Sequence, residues 1–216
     1  MVRAASPGRS CAPALEVDAR VNAIPSIQSA LREAAAGHKH LCPRQVLGVR
    51  IGLYAGELLQ LDLPQTGKHL HAFVEADGCF ADGITAATGC SLGHRTLRLM
   101  DEGKVACTFA QVGSRRALRI WPSPAARTRA LEYASDAPNR WRAQLEAYQV
   151  MPAAELLSVR EVELLVDLDA LIGKPGVRVN CSQCGEEVLN GREVLSGGVI
   201  LCRGCAQGSY ARPLMS

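Results

Sequence analysis

Apolar positions set the first outline of the fold. Ile27, Ala30, Leu31, Ala34 and Ala35 recur at helical spacing behind Pro25-Ser26. That predicts a helix with Ser26 capping its first free N–H groups and Gly37 as its C-cap. Pro43 suits the first turn of a second helix, running to about Leu61. One of its stripes is apolar (Leu47, Ile51, Tyr54, Leu58) and another is Gly48, Gly52 and Gly56. Glycine costs about 1 kcal/mol inside a helix. Three on one stripe predict the close approach of another backbone.

Leu70 to Glu75, Lys104 to Val112 and Arg116 to Trp121 read as strands, the last two joined at Gly113-Ser114. Gly78 to Gly89 reads as a short helix with a glycine at each end, and Pro122 and Pro124 stop the sheet. Ala125 to Leu157 is helical with a break near Asp136-Ala137-Pro138, and Glu161 to Leu168 offers one more strand. Gly173-Lys174-Pro175-Gly176 is a hinge-like linker. The expected fold class is α+β, a mixed or antiparallel sheet packed with helices. A small C-terminal domain follows, and the spacing Cys181-x2-Cys184 and Cys202-x2-Cys205 makes it a zinc finger of treble-clef or zinc-ribbon kind. The expected divisions are a tail over 1–24, the α+β domain over 25–172 and the finger over 173–216.

Composition changes this picture little, apart from the cysteines. Apolar residues at 48% and charged residues at 21% fit an ordinary globular protein. A net charge of +3 neither demands nor excludes a nucleic-acid partner. Val46 to Leu61, the most apolar stretch, is broken by Arg50 and Glu57. It is shorter than the roughly 20 residues of a membrane span, so no membrane association is expected. The first 25 residues lack the apolar run of a secretion signal, which points to the cytoplasm. In a reducing compartment, nine cysteines are ligands, reactive groups or core residues more often than disulfides.

The strongest chemical signal is "CSQCGEEVLNGREVLSGGVILCRGC". Cys181, Cys184, Cys202 and Cys205 form two Cys-x2-Cys knuckles, with Gly185 after the first and Gly204 inside the second. Four thiolates make a closed tetrahedral zinc site, which stabilises and leaves no coordination position for catalysis. Residues 192–195 and 199–201, separated by Gly197-Gly198, read as a hairpin between the knuckles. Zinc is therefore the expected cofactor.

"GHKHLCP" carries the second signal. In extended backbone, residues two apart share a face. Pro43 biases Cys42 toward that geometry. His38, His40 and Cys42 can then converge where a helix begins and its dipole favours a thiolate. Cys79 stands at a similar strand-to-helix junction, with Asp82 three residues on. Cys90 lies across about 16 Å of helix and is excluded from the group. His38, His40, Cys42 and Cys79 are thus a candidate second metal site, its ion unidentified. Cys107 and Cys11 are expected in the core or the tail. Gly89 to Gly93 is a weaker candidate for cradling an anion. Arginines 115, 116, 119, 127, 129, 140 and 142 make a basic stretch that could dock an acidic partner or nucleic acid. Scarce aromatic residues argue against stacking on single strands, so nucleic acid is not favoured.

Three blocks resemble the E-subunit family of formylmethanofuran dehydrogenase: "GHKHLCPRQVLGVRIG", "DGCFADGITAATGCSLGHRTLRLMDEGKVACTF" and the four-cysteine segment beginning "CSQCGEE". They occur in the family's order over about residues 30 to 205. The resemblance implies an N-terminal α+β domain, a C-terminal zinc finger and a homodimer. It also strengthens the Cys/His site. The implied role is a metal-binding accessory or subunit protein linked to a molybdenum or tungsten one-carbon oxidoreductase, which is then the expected partner complex. Lys39 and Arg44 depart from the family's glycines, and His94 from its lysine. Nothing in the chain would hold the pterin, and the Cys-x2-Cys-x2-Cys run of an iron–sulfur protein is absent, so the chain is not itself the dehydrogenase. Two other readings stand beside this one. The first is a zinc-finger nucleic-acid-binding regulator whose N-terminal domain senses metal or redox state. The second is a small enzyme with Cys42 or Cys79 as nucleophile and His40 as base.

Overall fold

The computed structural model describes residues 23–173, 176–212 and 214. The expected N-terminal tail with Cys11, and the middle of the expected linker, fall outside the described residues.

Helix α1 (Ile27–Ala35) begins where the sequence places it, and the Ser26 hydroxyl accepts from Ser29 N–H at 3.2 Å. Its C-cap is Ala36, in right-handed conformation, rather than Gly37. Helix α2 (Pro43–Leu59) starts behind an extended Cys42 (φ −123°, ψ 159°), as the following proline dictates. Gln45 fixes this entry. It is fully buried, its side-chain oxygen accepts from Cys42 N–H at 2.8 Å, and its amide nitrogen donates to the Ala34 carbonyl at 2.8 Å. One side chain therefore ties the end of α1 to the start of α2.

The sheet orders its strands β2-β1-β3-β4-β5. They are β1 (Leu70–Val74), β2 (Leu97–Leu99), β3 (Cys107–Gln111), β4 (Ala117–Pro122) and β5 (Leu157–Glu161). β1 and β2 run parallel; the other pairs are antiparallel. Alternation assigns the faces. Leu70, Ala72, Val74, Phe109, Leu118 and Ile120 pack into the main core with α2. Phe73, Ala110 and Ala117 face the other way and meet Leu168 on α7 (Leu168–Gly173), with Val162, Leu164 and Val166 beside them. Residues 162–167 thus cover the second face and form no strand. The last strand of this sheet is β5, earlier than the expected Glu161 to Leu168. β4 ends at Pro122, which still pairs with Leu157.

Helix α3 (Cys79–Thr88) lies between Gly78 (φ 70°) and Gly89 (φ 75°), as expected from the two glycines. It packs on the glycine stripe of α2. A Cβ on Gly48 would collide with the Phe80 carbonyl oxygen and stand 2.9 Å from Gly83 Cα. A Cβ on Gly52 would stand 2.6 Å from Ala87 Cβ. The expected close backbone approach is thus met at Gly48, whereas Gly52 makes room for the Ala87 and Thr88 side chains and Gly56 for that of Leu63. α4 (Ala126–Tyr133), α5 (Arg140–Val150) and α6 (Ala153–Leu156) complete the domain. Arg50 of α2 donates to the carbonyls of Tyr148 (2.9 Å) and Met151 (2.7 Å), which seals the end of α5.

His71 on β1 is 1% exposed, and neither ring nitrogen has a hydrogen-bond partner among the described residues. Burial first, then the charges of Arg98 and Lys68, hold its pKa below the ordinary 6.5. The folded chain keeps this imidazole neutral, whereas the unfolded chain protonates it. Its contribution is therefore present above pH 6.5 and is lost as pH falls through and below that value. Melting temperature should decline between about pH 7 and 5.5, and His71→Leu should flatten that slope. An unchanged slope in the variant would remove His71 as its source.

Two hairpins and a helix follow: β6 (Arg178–Asn180) with β7 (Glu187–Leu189), β8 (Val194–Ser196) with β9 (Val199–Leu201), and α8 (Arg203–Gln207). Gly197 and Gly198, with φ of 58° and 81°, make the two-residue turn between β8 and β9. Positive φ at both positions is what a type I′ hairpin turn requires. Knuckle, hairpin and ligand-bearing helix follow in treble-clef order. Among the described residues, no helix is long and apolar enough to cross a membrane.

Candidate metal centres

The C-terminal site is built by local chain geometry. Gly185, at φ 77°, turns the first knuckle, and its N–H returns to the Cys181 carbonyl at 2.9 Å. Cys202 is the N-cap of α8, and its Sγ accepts from Cys205 N–H at 3.3 Å. Ser182 N–H joins the two knuckles through the Ile200 carbonyl at 2.8 Å. The four Sγ atoms lie within 4.8 Å of one another, with Cys184 and Cys202 at 4.0 Å. Tetrahedral Zn–S bonds of about 2.3 Å put sulfurs just under 4 Å apart, so these residues fit zinc. Backbone N–H groups of Cys184 and Cys202 pull the Cys181 thiol down to about 6. The bond with Cys202 pushes the Cys205 thiol up to about 12. Four sulfurs this close share protons that a divalent cation would replace.

The front motif divides. Cys42 ends an extended entry to α2 and Cys79 opens α3. Because α2 and α3 touch through glycine, the two thiols meet and line one cleft of about 780 Å³. Burial, then the hydrogen bond with Cys42, holds the Cys79 thiol above its ordinary value, against the direction a helix N-terminus favours. His38 turns away and pairs with Asp82 at 2.9 Å in a separate depression beside Glu33 and Thr85. His40 lies edge-on to Trp141, ring centroids 6.2 Å apart. Residues 38–40 form bends rather than an extended segment, so alternate positions do not share a face. Among the described residues, the C-terminal cysteines are the one group of three or more ligand atoms so closely assembled. The front offers two thiols, with both histidines nearby and engaged elsewhere.

Sequence reasoning names Arg44, Arg119 and Arg127 without joining the last two to this cleft, and misses the tryptophans and Lys104. Both tryptophans of the chain, Trp121 and Trp141, line it, with Arg44, Lys104, Arg119 and Arg127. Arg119 is held by Glu75 through two hydrogen bonds of 2.7 Å and lies 5.0 Å from the Trp121 ring. Lys104 pairs with Glu102 at 2.6 Å. Arg44 and Arg127 form no ion pair among the described residues. The one available signal is that a chain with so few aromatics spends both tryptophans near one thiol pair.

The other candidates resolve differently. Cys90 and Cys107 are buried, with Cys90 Sγ 3.5 Å from the Leu70 carbonyl. The Gly89 to Gly93 turn spends the N–H groups of Gly89, Cys90 and Ser91 internally, the first on the Thr85 carbonyl. Cys90 and Ser91 donate to the Thr88 and Thr96 hydroxyls at 3.1 Å, and His94 donates to Ser91 at 3.2 Å. Most of the basic stretch is paired: Arg115 with Asp169, Arg116 with Glu161, Arg129 with Glu155 and Arg142 with Glu146.

Comparison with known proteins agrees with this architecture. A family model described as "FmdE, molybdenum formylmethanofuran dehydrogenase operon" matches residues 37–160, and one for the prokaryotic DksA/TraR C4-type zinc finger matches residues 175–211. A probable S-adenosyl-L-methionine-binding protein of Archaeoglobus fulgidus is 35% identical over 94 residues, 42% of this chain and 26% of that protein. The chain thus spans about a quarter of the length of this curated relative. The crystal structure of a tungsten formylmethanofuran dehydrogenase E-subunit (FmdE)-like protein from Syntrophus aciditrophicus superposes with a TM-score of 0.52 at 22% identity. It covers 86% of this chain and 95% of that one, a likeness of fold. With the glycine-locked helix pair, the mixed sheet and the four-cysteine site in place, the chain belongs to the FmdE family and carries a C4-type zinc finger behind its FmdE domain.

Proposed function

We propose that this protein is a metal-binding accessory or subunit protein of a molybdenum or tungsten one-carbon oxidoreductase. In this reading the FmdE-domain cleft holds a second metal ion. One observation carries it: Cys42 and Cys79, 37 positions apart in the chain, meet at one cleft because the glycine stripe seats α3 against α2. Two thiols are soft donors suited to zinc or another thiophilic ion, and two protein ligands leave positions open for a bound group. Arg44 and Arg127 supply positive charge for an anionic co-ligand, and Trp121 and Trp141 supply apolar walls. His40, exposed beside Trp141, is near enough in sequence to join the ligand set if its loop moves. The zinc finger contributes stability and a docking surface. The link to the oxidoreductase rests on the family resemblance, and the homodimer belongs to the same proposal.

The oxidoreductase link is tested in the source organism. Tagged protein purified under mild conditions should bring down a molybdenum- or tungsten-containing enzyme, with the metal measured in the eluate. Recovery of the chain without either metal, from cells containing the enzyme, would count against the link.

A further inference from the structure

Four arginines gather at another cleft, which shares no lining residue with the thiol cleft. Arg95 and Arg98, around β2, face Arg192 and Arg203 of the finger across a space of about 350 Å³. No aspartate or glutamate among the described residues lines it. None of the four forms an ion pair among the described residues, whereas six other arginines do. The Nε atoms of Arg95 and Arg98 are buried and have no hydrogen-bond partner among the described residues, while Arg95 donates from its terminal nitrogen to the Leu171 carbonyl at 3.4 Å. A buried donor without a partner costs about 1–3 kcal/mol, more when charged. Burial, then the charges of Arg192 and Arg95, hold the Arg98 guanidinium below its ordinary value, so these cations repel at close quarters.

We propose that Arg95, Arg98, Arg192 and Arg203 form a binding site for the phosphate groups of a small phosphorylated ligand, clamped between the FmdE domain and the zinc finger. Guanidinium forks match phosphate oxygens and bind them bidentately. An anion held on the terminal guanidinium nitrogens would offset the repulsion among these cations. Phe73, Val166 and Leu171 line the same cleft and offer an apolar surface to the rest of the ligand. The volume suits a diphosphate with a compact organic part and not a duplex. The site shares no cysteine with either metal centre, although Arg203 follows the finger ligand Cys202, and it does not depend on the proposed second metal.

The test is calorimetric titration of zinc-loaded full-length protein with inorganic pyrophosphate and with ATP at low ionic strength. Parallel arms use single-stranded and duplex oligonucleotides. The expected result is saturable binding of pyrophosphate or ATP, weakened about tenfold or more by Arg192→Gln, the loss of one charge-assisted interaction. Arg203→Gln should weaken it too, and the exposed Arg140→Gln should leave it unchanged. Arg192 is itself exposed, so its variant should keep the wild-type melting temperature. No saturable phosphate binding at low salt, or equal binding by wild type and an Arg192→Gln/Arg203→Gln double variant, would overturn the proposal. Oligonucleotide binding that needs these arginines while pyrophosphate and ATP do not bind would overturn it as well, in favour of a nucleic-acid surface.

Discussion

Cys184→Ser is expected to cost the protein its finger zinc and to unfold residues 178–207 while the FmdE domain stays folded. The finger has little else to hold it. Beyond residue 173, the buried apolar side chains are Cys181 and Val188 alone among the described residues. Its strands are three residues each. Zinc contributes an apparent 10 to 16 kcal/mol, roughly, to modules of this kind, and a three-thiolate site keeps only part of that. Neither apolar cluster of the FmdE domain includes a residue beyond Ile172, so finger collapse removes no core contact from the sheet or from α2. Cys184 is chosen because it is exposed, whereas Cys181 is buried and its loss would disturb packing as well. Amide resonances of 178–207 should collapse into the unfolded range, and those of α2 and β1 should keep their dispersion. A finger that stays dispersed without zinc would contradict this role of the metal.

Gly48→Ala is expected to destabilise the FmdE domain by about 1–2 kcal/mol. Alanine would gain about 1 kcal/mol in helix propensity over glycine. Against that gain stands a collision with the Phe80 carbonyl oxygen and the Gly83 Cα, both backbone. Neither can yield without shifting α3 along its length, and overpacking of this kind costs about 1–3 kcal/mol or more. Melting should fall by roughly 3–8 °C for a domain of this size. Gly37→Ala provides the comparison, because its new Cβ would meet nothing within 4 Å. Its melting temperature should hold or rise. The shift of α3 would also separate Cys79 from Cys42, so the substitution should weaken any ion they share. A Gly48→Ala protein as stable as wild type would mean that the helix pair is not locked by its glycines.

Those glycines show what the sequence makes legible. A stripe of three in an otherwise apolar helix has few physical uses, and close backbone contact is the main one. The knuckle cysteines are legible for a similar reason, since matched spacing has one dominant use. Strand β2 is hidden because three residues carry no period. The segment after β5 misleads in a more instructive way. Val162, Leu164 and Val166 alternate as a strand does, yet they lie across the sheet's second face instead of joining its edge. Alternation reports a one-sided burial, and the ladder is a separate fact. The histidines are illegible for want of long-range information. Where His38 and His40 point is decided by Asp82 and Trp141, which come from α3 and α5. The basic stretch misleads likewise, because most of its acids stand outside it, at Glu75 and at residues 146 to 169. Cys42 and Cys79 can be grouped from sequence because each stands at a helix start, and the structure supplies the contact between those two helices.

The most direct test is metal stoichiometry by elemental analysis of full-length protein and of its Cys42→Ser/Cys79→Ser double variant. Both are purified without chelator and dialysed against metal-free buffer. A second metal in the cleft predicts two ions per wild-type chain and one, the finger zinc, per variant chain, with melting of the finger unchanged. One zinc in both proteins, with no second ion taken up on titration with zinc or another thiophilic cation, would contradict it. The thiol pair would then be something other than a metal site.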